Sequence, residues 1–338
     1  MSLSFRKQLL FPLIVALLGF GLASLVDAPH LSNQPWYEPF TYTLLAIGLY
    51  GSVYGIQQAE LGHHREIVLR AVTIGVLLKT LIIGGALFLF TRQASAFLLG
   101  LTVAQIDPLS VANLVRGERH KLSERAQTIL GAWSSFDDPM TVLLSIYALY
   151  LFLPHETSAS LLQLGLPFVI SLAQNLLFAG LVFFLTRWLK KKEPALLLLL
   201  IVCFGVAVAF KWMLGVALIG LFLRPQIKRL PQIIAAAFYS TLLLLGFLLV
   251  EGIVWKTGLV LGLAAILSQI IVGLLLTRGL PKNERLYLAF AQQNGITAMI
   301  LALLFEKNLP GTVGIVAPAI LVVNLGYYFT NRLLGDRF

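Results

Sequence analysis

An all-α polytopic membrane protein with about twelve transmembrane helices is the fold class that three observations predict. First, 58% of the 338 residues are hydrophobic and 12% are charged, and the mean hydropathy is +0.88. Soluble domains hold about 45–50% apolar and about 25% charged residues. Second, apolar runs of about 20 residues, enough for a helix to cross a hydrocarbon layer, recur along the whole chain. Third, the basic residues sit in short loops and alternate in density from one loop to the next, the pattern that sets membrane orientation. A transmembrane β-barrel would instead show short segments of alternating polarity.

Taken in order, the spans fall at about 8–26, 38–58, 66–90, 94–113, 124–153, 160–187, 194–210, 212–224, 230–250, 253–277, 284–305 and 310–333. Loops on one side of this arrangement hold 20 Lys and Arg residues. Those on the other hold only Arg92, Lys211, Lys256 and Lys307, and Lys79 alone lies deep in a span. A multi-pass protein of the plasma (inner) membrane with both termini cytoplasmic follows. Arg6 and Lys7 ahead of the first run imitate a signal peptide, but a run of about 18 residues exceeds the usual h-region, and an uncleaved first helix is expected.

Composition excludes several function classes. The net charge of +10 belongs to loops that orient the chain, so no nucleic-acid partner is expected. Cys203 is the single cysteine, which leaves no intramolecular disulfide and no cysteine metal cluster. No loop exceeds about a dozen residues and no G-x-x-x-x-G-K-[ST] occurs, so there is no ATPase module. No enzymatic activity and no cofactor are expected. Any pumping must draw on an ion gradient.

Of 15 acidic residues, 12 lie in loops or at span ends. The other three are Asp107, Asp137 and Asp138, in the fourth and fifth spans, with Lys79 in the third. Ionisable residues inside a membrane are costly and mark functional sites. Burial and neighbouring negative charge both favour the protonated form of a carboxyl group. A carboxylate cluster of this kind can hold protons and yield them to a hard cation that prefers oxygen ligands. Lys79 can neutralise one carboxylate or itself carry a proton. Plainer roles exist for each group. An Asp beside a Pro can cap a helix end, a buried Lys can serve a purely structural ion pair, and Ser134, Gln269, Asn294 and Thr297 can make ordinary interhelical hydrogen bonds. Gly51-x-x-x-Gly55 and Gly258-x-x-x-Gly262 fit close helix packing. His63, His64 and His120 in the basic loops can sense pH or simply be solvated.

The fourth span reads Gln105-Ile106-Asp107-Pro108, and a mid-span Pro breaks a helix and frees a carbonyl. The eleventh reads Gln292-Gln293-Asn294-Gly295-Ile296-Thr297, a polar, Gly-containing interruption. Broken helices lining a midplane site recur in transporters built from inverted repeats. Spans 3–5 and 10–12 are seven apart, and an odd offset inverts topology. The chain is therefore expected to be one transporter domain over residues 1–338. Its repeat units span about 66–153 and 253–333, helices 4 and 11 are broken and cross, and interface helices cover about 8–58 and 160–250.

In this order, on these spans, the motifs resemble the monovalent cation:proton antiporter superfamily, the bacterial sodium/proton antiporters. Ile106-Asp107-Pro108 stands at that family's Thr-Asp-Pro position, Asp137-Asp138 at its Asp-Asp (or Asn-Asp) position, and Gly295 in its unwound helix 11. The resemblance implies that Asp138 is the essential ligand for cation and proton. An Asp at position 137 goes with electrogenic exchange, the unwound segments bring Asp107 and Asn294 beside the site, and Ser134 can help bind the cation. It implies Na⁺ or another monovalent cation and H⁺ as transported ions, the lipid bilayer as surroundings and a homodimer as assembly. Gln105 and Thr297 join Asn294 as polar groups of the broken helices, with Asp137 and Asp138 as the metal-ion ligands. Three positions depart from the family: Ile106 replaces the Thr, Trp133 replaces the Glu that precedes the Ser of the electroneutral branch, and helix 10 offers Gln269 instead of a Lys or Arg. Lys79, in the pseudo-symmetric partner of helix 10, is expected to have taken over that base's role.

Three other functions fit the sequence less well. A sodium-coupled organic-anion symporter on the same architecture would want polar groups for its substrate in both broken helices. An intramembrane aspartyl protease needs aspartates on separate helices and a Gly-x-Gly-Asp motif, which does not occur. A retinal protein using Lys79 fits twelve helices and an aspartate triplet poorly.

Overall fold

A backbone crossing hydrocarbon must satisfy its own hydrogen bonds, so an apolar chain of this kind folds into helices. The structure, a computed structural model, describes residues 11–25, 31–54, 66–108, 123–152, 161–189 and 192–334. Regular structure among them is entirely helical. In chain order the helices are α1 (Phe11–Leu25), α2 (Tyr37–Tyr54), α3 (Glu66–Thr91), α4 (Ala96–Ala104), α5 (Glu124–Phe152), α6 (Leu161–Trp188) and α7 (Glu193–Phe210). They continue as α8 (Met213–Ile219), α9 (Leu230–Leu248), α10 (Trp255–Leu276), α11 (Lys282–Ala289), α12 (Ile296–Glu306) and α13 (Thr312–Leu334). Among the described residues six helices, α3, α6, α7, α9, α10 and α13, are long and apolar enough to cross a membrane, while α1 and α12 are shorter apolar helices. His63, His64, His120, Gly55 and the basic residues Arg6, Lys7, Arg116, Arg119 and Lys121 lie outside the described residues.

Three spans differ from a continuous helix. Helix α4 stops at Ala104 with Gln105 extended, and residues 105–107 are not helical ahead of Pro108. The residue before a proline is disfavoured in the helical region. Helix α8 is only seven residues long, and the chain stays non-helical from residue 220 to residue 229, across Arg224-Pro225. Between α11 and α12, residues 290–295 are not helical. Helix α3 contains one π turn, Ala71–Gly75, just ahead of Lys79; π turns frequently sit at functional sites.

Packing follows small residues. At Gly246 a Cβ would strike the backbone of Ala16, and at Gly19 the carbonyl of Leu243, so α1 lies directly on α9. Gly258 and Gly262 face α13 with equally little room, as expected of a small-residue seam. Helix α2 packs on α7, α8 and α9, while α10 packs on α3, α4 and α13. One apolar cluster joins Leu45, Leu49 and Tyr50 of α2 to α7 and α8, and reaches Ile296 and Ile300 of α12. A second joins α3, α4, α10 and α13, and reaches Ala298 and Leu303 on the other face of α12. Helix α12 is thus clamped from both sides. Leu17, Leu177, Phe184 and Ile201 point outward, the side a bilayer would cover.

Polar contacts gather at the two ends of α5. Near its start Ser123 and Arg125 bond Glu284. Near its far end Glu38 pairs with Lys211 and Lys307. The residues that the loop pattern assigned to opposite sides therefore meet at opposite ends.

Candidate functional site

Helix α5 runs through 29 residues and carries Asp137 and Asp138 midway, both fully buried. Pro139 stays inside the helix; lacking an N–H, it cannot bond the carbonyl one turn back. Neighbouring residues of a helix point about 100° apart, so the two carboxyls reach different partners. Lys79 Nζ donates to Asp137 Oδ2 at 2.8 Å, with both side chains wholly buried. The backbone N–H of Ile106 donates to the same oxygen at 3.0 Å. The Lys79 ammonium also lies 5.7 Å from the centre of the Trp133 ring, within range of a cation–π attraction. Asp138 faces α12, where Thr297 Oγ1 donates to its Oδ2 at 2.8 Å. Asp138 Oδ1 has no hydrogen-bond partner among the described residues. The carboxyls of Asp107 and Asp137 are both within electrostatic reach of it.

The non-helical segments 105–107 and 290–295 meet beside these aspartates. Asp107 N–H donates to the carbonyl of Gln293 at 2.9 Å. Gln292 Nε2 donates to the carbonyls of Val103 (2.9 Å) and Gln105 (3.0 Å). Asn294 Nδ2 donates to the same two carbonyls at 3.2 and 3.1 Å. A helix end leaves its last carbonyls without intrahelical donors, and here two amide side chains from the other interruption supply them. Asn324 of α13 holds the second interruption in turn: its Oδ1 accepts from Asn294 N–H at 3.1 Å and its Nδ2 donates to the Asn294 carbonyl at 2.9 Å. Gln269 of α10 donates to the carbonyl of Leu288 at 2.9 Å.

Gly295 is where the two segments come closest, since a Cβ there would land on the Asp107 carboxyl. Gly295→Ala should therefore force the crossing apart. Overpacking a tight interior costs about 1–3 kcal/mol, so the variant should melt several degrees lower and lose most of its exchange. Thermal unfolding in detergent beside the exchange assay checks this; native values in both would contradict the close approach.

Most of the residues singled out from sequence converge here: Lys79 with Asp137, Thr297 with Asp138, and Gln105, Asp107 and Asn294 at the crossing. Ser134 lies one turn before Asp138, but its hydroxyl bonds the carbonyl of Gly131 at 3.1 Å, a local helical contact. Asn324 and Gln292 were missed, although a lone polar residue in an apolar span, as Asn324 is, was signal enough. As ligands for a small cation the site offers both oxygens of Asp138 and the Thr297 hydroxyl. Among the described residues no three His, Cys, Asp or Glu side chains form a metal-binding group.

Comparisons with known proteins show the family and the fold. The family described as "Sodium/hydrogen exchanger, transmembrane" matches residues 2–331. Two solved structures of the sodium proton antiporter MjNhaP1 from Methanocaldococcus jannaschii share the fold. The one at pH 8 has a TM-score of 0.73 at 19% identity, covering 96% of this chain and 92% of that one. The one determined by electron microscopy has a TM-score of 0.66 at 18% identity, covering 97% and 90%. Proteins of this kind are transporters rather than enzymes, and cation/proton antiport is the activity the match supports. With a polytopic helical fold and a match over nearly its whole length, the chain belongs to the transmembrane sodium/hydrogen exchanger family.

Proposed function

We propose that this protein is a secondary Na⁺/H⁺ antiporter in which the proton and the cation take turns on Asp138 during alternating access. The observation that carries this reading is the division of labour within the aspartate pair. Asp137 is matched by the buried ammonium of Lys79, which offsets its negative charge. Among the described residues Asp138 has a neutral hydroxyl as its hydrogen-bond partner. In a low-dielectric site its negative charge wants either a proton or a cation. Thr297 supplies a second oxygen ligand, and the Asp107 carboxyl lies against Gly295, two residues before it.

The remaining parts follow from that role. The interruptions at 105–107 and 290–295 act as the broken, crossing helices of two inverted repeats, about 66–153 and 253–333. These repeats move against the interface helices, about 8–58 and 160–250. Lys79 substitutes for the basic residue that helix 10 lacks. The protein works as a homodimer in the plasma membrane, with both termini cytoplasmic and no cofactor.

The test is transport by purified protein in proteoliposomes holding a pH dye, with Na⁺, Li⁺ or K⁺ added in turn. Na⁺ should discharge an imposed proton gradient. If none of the three cations does so, the antiporter reading fails.

A further inference from the structure

Helix α5 carries a second polar feature that the exchange site does not use. Thr141 and Ser145 follow Asp138 by three and seven residues, which puts all three on one helix face. Both are buried, and neither hydroxyl has a hydrogen-bond partner among the described residues. Buried hydroxyls in a helix commonly return to the carbonyl one turn back, as those of Thr41, Ser52 and Thr241 do. Leaving one unmade is costly in a buried site, so two in line on one face point to a ligand.

The same face leads to open space. Val142, Ser145 and Leu149 line a cavity of about 40 Å³, closed by Tyr37 and Tyr42 of α2 and by Phe305 of α12. That volume holds a few water molecules. Glu38 and Lys307 also border the cavity. The Glu38 carboxylate bonds Lys307 at 2.7 Å and Lys211 as well. Glu38 and Lys211 belong to α2 and the α7–α8 connection, whereas Lys307 ends α12. Any opening between α2 and the α5–α12 pair must break the Glu38–Lys307 bond and can keep the Glu38–Lys211 bond. Solvent-exposed ion pairs of this kind contribute little to stability, so the break is cheap.

We propose that this face of α5 is the passage by which a monovalent cation reaches Asp138 from the Glu38 end of the protein. Ser145 and Thr141 replace hydration oxygens in succession. Glu38 attracts the cation at the mouth, and its bond to Lys307 is the clasp that shuts it. The inference rests on the antiport reading.

The experiment places Ser145→Cys in a Cys203→Ala background and applies a membrane-impermeant cationic methanethiosulfonate from either side, in right-side-out and everted vesicles. The thiol should react only from the Glu38 side, and its modification should block Na⁺/H⁺ exchange. Adding Lys307→Gln should speed the reaction severalfold. Failure to react from that side, or reaction that leaves exchange intact, overturns the passage; an unchanged rate with Lys307→Gln overturns the clasp. Labelling reads the passage independently of transport. Absence of exchange in the unlabelled native protein overturns the antiport reading, while native exchange with an unreactive Ser145→Cys overturns the passage alone.

Discussion

Asp138→Asn should reduce cation/proton exchange to the background of protein-free liposomes while leaving the fold intact. The amide keeps the size of the carboxyl, and its oxygen can still accept the Thr297 hydroxyl that now bonds Asp138 Oδ2 at 2.8 Å. It cannot release a proton or balance a cation's charge near neutral pH. Replacing an unpaired buried carboxylate by a neutral isostere removes a desolvation cost, so the melting temperature should hold or rise. Pairing the pH-dye assay with thermal unfolding separates this outcome from simple misfolding. Asn at position 138 with native exchange would remove Asp138 from the mechanism.

Lys79→Ala should be among the most destabilising single changes in the chain. The ammonium and the Asp137 carboxylate are both wholly buried, and removing one partner strands the other's charge in low dielectric. Such a loss costs about 3–5 kcal/mol. Placing Asp137→Asn in the same chain should recover most of that loss, because the stranded charge disappears with it. A double-mutant cycle on thermal stability measures the coupling; additive effects of the two changes would contradict the pair. The functional reading adds a second outcome. If Lys79 has assumed the role of the absent helix-10 base, Lys79→Ala should change the rate and the pH profile of exchange. A stabilised Lys79→Ala/Asp137→Asn protein with native rate and pH profile would reduce the pair to architecture.

The sequence showed which residues matter more readily than it showed which touch. Asp107, Asp137, Asp138 and Lys79 stood out because a charge in an apolar span is expensive and each lies inside one. That Lys79 would neutralise a carboxylate was also legible, but the choice of Asp137 over Asp138 depends on the rotation of α5 against α3, which no periodicity records. Pro108 and Gly295 marked the two stretches, 105–107 and 290–295, that are not helical. The lattice of amides that joins them, Gln292 and Asn294 to the carbonyls of Val103 and Gln105, could not be foreseen. It depends on residues nearly 190 positions apart meeting in space. Thr297 looked like one polar residue among several, and only the fold sets it against Asp138. The loop charges told the two ends of the molecule apart, as the separate Glu38 and Glu284 clusters show. The shortness of α8 was hidden because apolar composition continues past its end.

The central claim is competition of a proton and a metal ion for one carboxylate, and the apparent KM for Na⁺ as a function of pH tests it most directly. Two ligands that exclude each other at Asp138 require that KM rise as pH falls, approaching tenfold per pH unit once the proton dominates the site, while the maximal rate at saturating Na⁺ changes far less. A KM that stays constant with pH while the maximal rate alone collapses would mean that proton and cation bind at separate places, and the account would be wrong.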